Sequence, residues 1–149
     1  MTLKIAFDRL VSQDYLNQRR KKETEIQQLQ KSLLRDSMRI AFFELGQIHY
    51  NFGFLGEAIK TWIRSHDFSS SEEDLFNVSF TIAKAAFEHQ ATAYLAKYAG
   101  EADARDKGKV ASRSVQVKIL DAMSSIALEN YREAAIKLTN ISITDMQAI

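Results

Sequence analysis

An all-α fold is predicted by three observations. The 149 residues contain no proline, where average usage would give about 7, and proline is the residue that breaks helices and punctuates loops. Apolar residues recur at spacings of three and four along most of the chain, the period of a helix with one buried face. Short glycine and serine runs interrupt that period, so the helices are brief and turn back on one another as hairpins. Hydrophobic residues at 46% and charged residues at 26% are the balance of an ordinary globular chain. At this length a core forms without staples. The absence of cysteine excludes disulfides, thiolate metal sites and a cysteine nucleophile.

Each element follows from its own pattern. A first helix is expected from about Gln13 to Arg35, opening on Tyr15 and Leu16 and closing on the stripe Ile26, Leu29, Leu33 and Leu34. Its polar middle is supported by the i,i+4 pairs Arg19/Glu23 and Lys21/Glu25. Met38 to Asn51 forms a second helix with Phe42, Leu45, Ile48 and His49 on one side, ended by Gly53 in a left-handed conformation. Leu55 to Asp67 forms a third, with Ala58, Ile59, Trp62 and Ile63 facing inward. The run Ser69-Ser70-Ser71 breaks the pattern, and Ser70 with Glu73 reads as a capping box for a fourth helix to Glu88 that buries Leu75, Phe76, Ile82, Ala83, Ala86 and Phe87. A fifth helix spans Gln90 to about Tyr98, anchored by Tyr94, Leu95 and Tyr98. Gly100 to Gly108 is expected to be a charged loop. Ser112 to Leu128, with Val115, Ile119, Met123 and Ile126, forms a sixth helix, and a seventh runs from Tyr131 to about Ile141.

Two hairpins share a spacing. In the first, Phe42, Leu45 and Gly46 are followed by Ala58, twelve residues after the glycine, and then by Trp62. In the second, Ala122 is followed by Tyr131, by Ala134 at the same distance, and by Leu138. That spacing matches the tetratricopeptide pattern, in which small residues let two antiparallel helices approach closely. The expected architecture is therefore a right-handed, TPR-like helical-repeat solenoid of about seven helices. Residues 1–36 are expected to be a helical extension and residues 37–149 the repeat domain.

No constellation points to catalysis or to a cofactor. His49, His66 and His89 are scattered, and His49 sits at an inward repeat position, as a packed core histidine does. Asp67, Ser69, Ser71 and Glu73 lack the glycine and the twelfth-position glutamate of a calcium loop, because Val78 stands there. Gly53-Phe54-Leu55-Gly56 lacks the lysine of a phosphate loop. The candidate partner contacts are the basic run Arg19, Arg20, Lys21 and Lys22, whose alternative is a solvated helix face, and the pair Arg64 and Asp67, whose alternative is a local ion pair.

Charge is unevenly spread around a net of +1. Residues 1–40 hold nine Lys/Arg against five Asp/Glu, and residues 41–110 hold seven against ten. No region is basic enough to make nucleic acid the main partner. Lys4, Asp8 and Arg9 interrupt any signal-like apolar run, and no stretch is long enough to span a bilayer, so neither membrane nor export is expected.

Residues 45–68 carry more than a generic repeat. Gly46, Tyr50, Gly53, the run Leu55-Gly56-Glu57-Ala58, and Ile63-Arg64 followed by Asp67-Phe68 resemble the PCI family of COP9-signalosome and proteasome-lid subunits, in its signalosome branch. Leu34 to Arg39 is similar to that family's entry into the hairpin, and Tyr131-Arg132-Glu133-Ala134-Ala135 to a later repeat. The resemblance covers residues 25–142, whereas Ala91 to Val110 has no counterpart. It implies a non-enzymatic scaffold of the COP9 signalosome, found in nucleus and cytoplasm, that positions partners while another subunit removes the ubiquitin-like modifier from cullins. The implied partners are other signalosome subunits and cullin-ligase components. A proteasome-lid subunit and a TPR-type peptide adaptor are the alternatives. The family's PCI winged helix is absent after the repeats, and Thr144 to Ile149 carries no capping pattern, so a monomeric fragment of a longer subunit is expected.

Overall fold

The computed structural model describes residues 2–106 and 111–141, which form helices and short connections with no strand. Seven helices follow one another among the described residues: α1 (Thr2–Ser32), α2 (Arg35–Asn51), α3 (Leu55–Phe68), α4 (Glu72–Glu88), α5 (Thr92–Asp106), α6 (Ala111–Ala127) and α7 (Tyr131–Thr139). Gly108 and the segment Thr144 to Ile149 lie outside the described residues. The chain divides into two compact units, Met1–Ser69 and Ser70–Ile149.

In the first unit α1 runs antiparallel to α2. Ile26 packs into a cluster with Met38, Ala41, Phe42 and Leu45, and Leu29 and Phe68 close over it. An apolar stripe on α1 thus finds its partner on α2. That stripe stops sooner than the sequence suggests. Leu33 takes φ 54° and ends the helix at Ser32, leaving Leu33 86% and Leu34 53% exposed. The turn needed to start α2 outweighs the burial of two leucines.

Helices α2 and α3 form the tightest hairpin. Ala58, Ile59 and Trp62 are almost wholly buried, and Phe42, Leu45 and Gly46 face them. A methyl group at Gly46 would overlap Cδ1 and Nε1 of the Trp62 indole. The indole N–H donates to the Phe43 carbonyl at 3.0 Å, so its one polar atom is satisfied in the core. Ser65, 1% exposed, donates to the Arg39 carbonyl at 2.8 Å and ties the far end of the hairpin.

In the second unit the cap of α4 is shifted by one residue from Ser70–Glu73. Ser71 is the N-cap, and its hydroxyl accepts from the Asp74 N–H at 3.0 Å. Helix α4 buries Phe76, Ile82, Ala83 and Ala86, together with Val78, Ser79 and Ala85 that its pattern did not single out. Gly100 to Asp106 is helix, not loop. The buried residues Leu95, Tyr98, Ala99, Ala102 and Asp106 continue one helical face through it, and Gly100 lies on the open side, where an added methyl group would meet nothing within 4 Å. Tyr94 turns outward, 45% exposed. In α6 the inward face holds Val115, Val117, Leu120, Ala122 and Ser125, while Ile119, Met123 and Ile126 are half-buried. On α7 only Ala134 is buried, and Tyr131 (65% exposed) and Leu138 (45%) stand in solvent. The physical reason is that α7 packs mainly on α6 and has one covered face.

One turn is used three times. After α2, α4 and α6 a residue enters the left-handed region: Gly53 (φ 83°), Gln90 (φ 57°) and Glu129 (φ 59°). The N–H after each reaches back to a carbonyl in the preceding helix, Phe54 to His49 at 2.9 Å, Ala91 to Ala86 at 2.8 Å and Asn130 to Ser125 at 2.9 Å. This is the Schellman closure of a helix C-terminus. Seven residues before each turn stands a small buried residue: Gly46, Ala83 and Ala122. Five residues after it come Ala58, Leu95 and Ala134, each buried. The hairpin therefore occurs three times, including a middle copy that the sequence spacing did not reveal.

Trp62→Ala is expected to cost about 3–5 kcal/mol, the range for emptying a large aromatic site. Gly46→Ala, one methyl, should destabilise by about 1–3 kcal/mol through overpacking. Urea unfolding midpoints measure both, and unchanged midpoints would show that this contact is not part of the core.

Gln90→Gly is expected to stabilise by about 0.5–1 kcal/mol, because the left-handed region costs a side-chain-bearing residue about 1–2 kcal/mol and glycine regains only part as chain entropy. Thermal melts of Gln90→Gly and Gln90→Val should move in opposite directions.

Candidate interaction site

The residues that the repeat spacing selects are not equally assembled. Gly46 and Trp62 meet at the α2–α3 contact, with the Trp62 ring 6.1 Å from Phe43 and 5.7 Å from Tyr50, while Phe42 reaches α3 at Arg64 and Phe68, and Leu45 and Ala58 are buried. Ala134 packs on α6, but Tyr131 and Leu138 contribute surface.

The basic run on α1 is partly neutralised. Arg19 pairs with Glu23 at 2.8 Å, and that hydrogen bond raises the guanidinium pKa. Lys22, not Lys21, reaches Glu25 at 2.7 Å and Glu44 on α2 at 2.6 Å. Burial works against its ammonium, but hydrogen bonds to both carboxylates outweigh burial and raise its pKa. Arg20 and Lys21 remain exposed. Lys22 is thus the one of the four that links α1 to α2, and Arg19, Arg20 and Lys21 lie on the surface. Arg64 and Asp67 form no ion pair. The Arg64 guanidinium lies over the Phe42 ring at 5.2 Å, and the Asp67 carbonyl accepts from Arg35 at 2.9 Å.

One functional-looking pair is only half visible in the sequence. His49 is buried, and its Nδ1 lies 2.9 Å from the Tyr15 hydroxyl. Tyr15 is itself buried among His49, Phe52 and Phe54, with the Phe54 ring stacked at 4.5 Å. Burial, with the nearby Arg19 charge, lowers the His49 pKa, so the neutral ring is favoured and Nδ1 shares one hydrogen bond with the Tyr15 hydroxyl. The partner lies 34 residues away, and no local spacing announces it. The pair ties the α2 C-terminus to α1. Arg19, Glu23 and Glu57 are the charged groups near enough to act on His49.

Among the described residues no group of three His, Asp or Glu side chains is placed to hold a metal ion. No described helix is long and apolar enough to cross a membrane. What the arrangement offers is helix faces, hairpin edges and the apolar surface around Tyr15.

Comparison with known proteins agrees with this geometry. The family 26S proteasome subunit RPN7 matches residues 14–147, nearly the whole chain. The chain belongs to the RPN7 family. Among curated relatives it is similar to COP9 signalosome complex subunit 1 of Arabidopsis thaliana, 20% identical over 122 residues. That alignment covers 82% of this chain and 28% of the relative, so the chain spans little more than a quarter of that relative's length. Both matches support the PCI-family resemblance carried by residues 45–68, and an RPN7-family chain is the all-helical repeat that the hairpins build.

The His49 environment sets a pH dependence. A folded pKa below the ordinary imidazole value of about 6.5 means that the unfolded chain binds the proton more tightly. The stability contributed by neutral His49 is full above that value and is lost as pH falls below it. The urea midpoint should therefore drop between pH 7.5 and 5, and His49→Gln should show a smaller drop over the same range. Equal slopes for the two chains would rule out this role.

Proposed function

We propose that this chain is a non-catalytic scaffold segment of a COP9-signalosome-type complex, one that holds partner subunits in place for removal of the ubiquitin-like modifier from cullins. The observation that carries the reading is its similarity to signalosome subunit 1 over 82% of the chain. The hairpins support it physically, since helical repeats present grooves and edge helices suited to extended or helical segments. The proposed partners are other signalosome subunits and cullin-ligase components, and the proposed location is the nucleus and cytoplasm. A second reading, a regulatory-lid subunit of the proteasome, is favoured by the family match itself, which carries the proteasome subunit's name.

Co-purification separates the two. In PCI-family complexes the winged-helix modules line up side by side, so residues 1–149 alone should be recovered with neither set of subunits. Joined to a PCI module of the same family, the chain should be recovered with signalosome subunits in preference to proteasome-lid subunits, and the isolated chain should show no cullin-deconjugating activity. Preferential recovery with lid subunits would establish the second reading. Efficient capture of the complex by residues 1–149 alone would make the repeats the assembly element.

A further inference from the structure

The face of α1 that packs on α2 does not stop where α2 stops. Tyr15, Lys22, Ile26 and Leu29 lie along the hairpin, and the same stripe continues at helical spacing through Ser12 and Val11 to Asp8. There its neighbours are the aromatic residues of the α2–α3 turn. Val11, Tyr15, Leu16, Phe52 and Phe54 line an open groove of about 490 Å³, with Asp8 and Ser12 at its edge. Phe54 is 47% exposed, Leu16 42% and Val11 39%, and Leu10 beside them is 68% exposed. The floor is rigid, because the Phe54 ring stacks on Tyr15, which is buried and bonded to His49.

The charge around the groove leans positive, with Asp8 as the carboxylate that lines it. Residues 1–22 carry six Lys/Arg against two Asp. Arg9 and Arg20 share the flank of α1 with Leu16, both are exposed, and neither joins an ion pair among the described residues. Covering an apolar groove beside unpaired cations is favourable only if the newcomer brings carboxylates. A second copy of this surface would bring the same cations, which disfavours a two-fold self-contact. A bilayer surface would meet the basic stripe but would leave a concave floor unfilled, whereas a helix presents the ridge that a groove accepts.

We propose that this groove docks an amphipathic helix of a partner protein, apolar on one face and flanked by Asp and Glu. Its aliphatic side chains at i, i+3 or i+4, and i+7 enter between α1 and the Phe52–Phe54 turn, and its carboxylates meet Arg9 and Arg20. The assignment rests on shape and charge and does not depend on the signalosome reading.

Fluorescence anisotropy tests it with two labelled helical peptides, each with leucines at i, i+3, i+4 and i+7, one flanked by glutamates and the other by lysines. The glutamate peptide should bind, and the lysine peptide should bind at least about fivefold more weakly, the sum of a few exposed charge pairs. The double variant Arg9→Glu/Arg20→Glu should reverse that order. Phe54→Ser should weaken binding about tenfold, as loss of an aromatic anchor does. Val11→Asp, on the open face of α1, should do the same without touching the turn, and circular dichroism checks that each variant stays helical. Failure of both peptides to bind, equal binding of the two, or full binding by Val11→Asp overturns the proposal. Binding to phosphatidylserine-containing vesicles without peptide binding would assign the face to membranes. A concentration-dependent dimer lost in Phe54→Ser would assign it to self-association. Either result overturns the proposal as well.

Discussion

The approach of α2 to α3 at Gly46 governs the first unit. Gly46 has no side chain because the Trp62 indole occupies the space where one would be. With the two helix backbones this close, Trp62 can lose nearly all its solvent contact and still donate its N–H to the Phe43 carbonyl. Satisfying that donor matters, since an unpaired polar group in the core costs about 1–3 kcal/mol. The same helix α2 presents Met38, Ala41 and Phe42 to α1, where Ile26 packs with them and Leu29 closes over the cluster. Ser65 and Arg39 then hold the end of the hairpin away from the turn. A long α1 would have no stable seat without this arrangement.

Three hairpins repeat the device with different chemistry. Gly46, Ala83 and Ala122 occupy the close-approach position, and each hairpin closes through a left-handed residue with the same backbone hydrogen bonds. Only the first uses glycine at the turn. Gln90 and Glu129 adopt the conformation despite its steric strain, because the backbone bonds that cap the helix and the packing on both sides over-determine it. The quality of packing follows the small residue and what faces it. Where Gly46 faces Trp62 the contact is dense, and where Ala122 lies opposite Ala134 the flanking Tyr131 and Leu138 remain at the surface.

Polar groups in the first unit serve the seat of α1 more than any chemistry. Lys22 bridges Glu25 and Glu44, and Tyr15 bonds to neutral His49. Both links lie on the hairpin side of the point where the α1 stripe passes to open surface. Beyond it the helix carries exposed apolar residues beside Arg9 and Arg20, which join no ion pair among the described residues, a combination that an acidic, apolar surface would cover favourably.

The helical class, the number of helices and the central hairpin were legible in the residues themselves. Absence of proline and stripes of period 3.6 are local properties, and Gly46, Ala58 and Trp62 stand at a spacing that helix geometry alone requires. His49 could likewise be read as a core residue from its place on that stripe. Tertiary structure decided what local pattern leaves open. Gly100 reads as a loop because glycine disfavours helices, but Leu95, Tyr98, Ala99, Ala102 and Asp106 form one continuous buried face that carries the helix through it. Leu33, Tyr94, Tyr131 and Leu138 read as core because they are large and apolar, yet burial requires a second surface, and the described residues cover them only in part. The middle hairpin was hidden because Leu95 replaces the alanine that announces it, while backbone hydrogen bonds impose the same turn at Gln90. The partner of Tyr15 is 34 residues away. Periodicity states which face of a helix is apolar, and only the folded chain states what covers it.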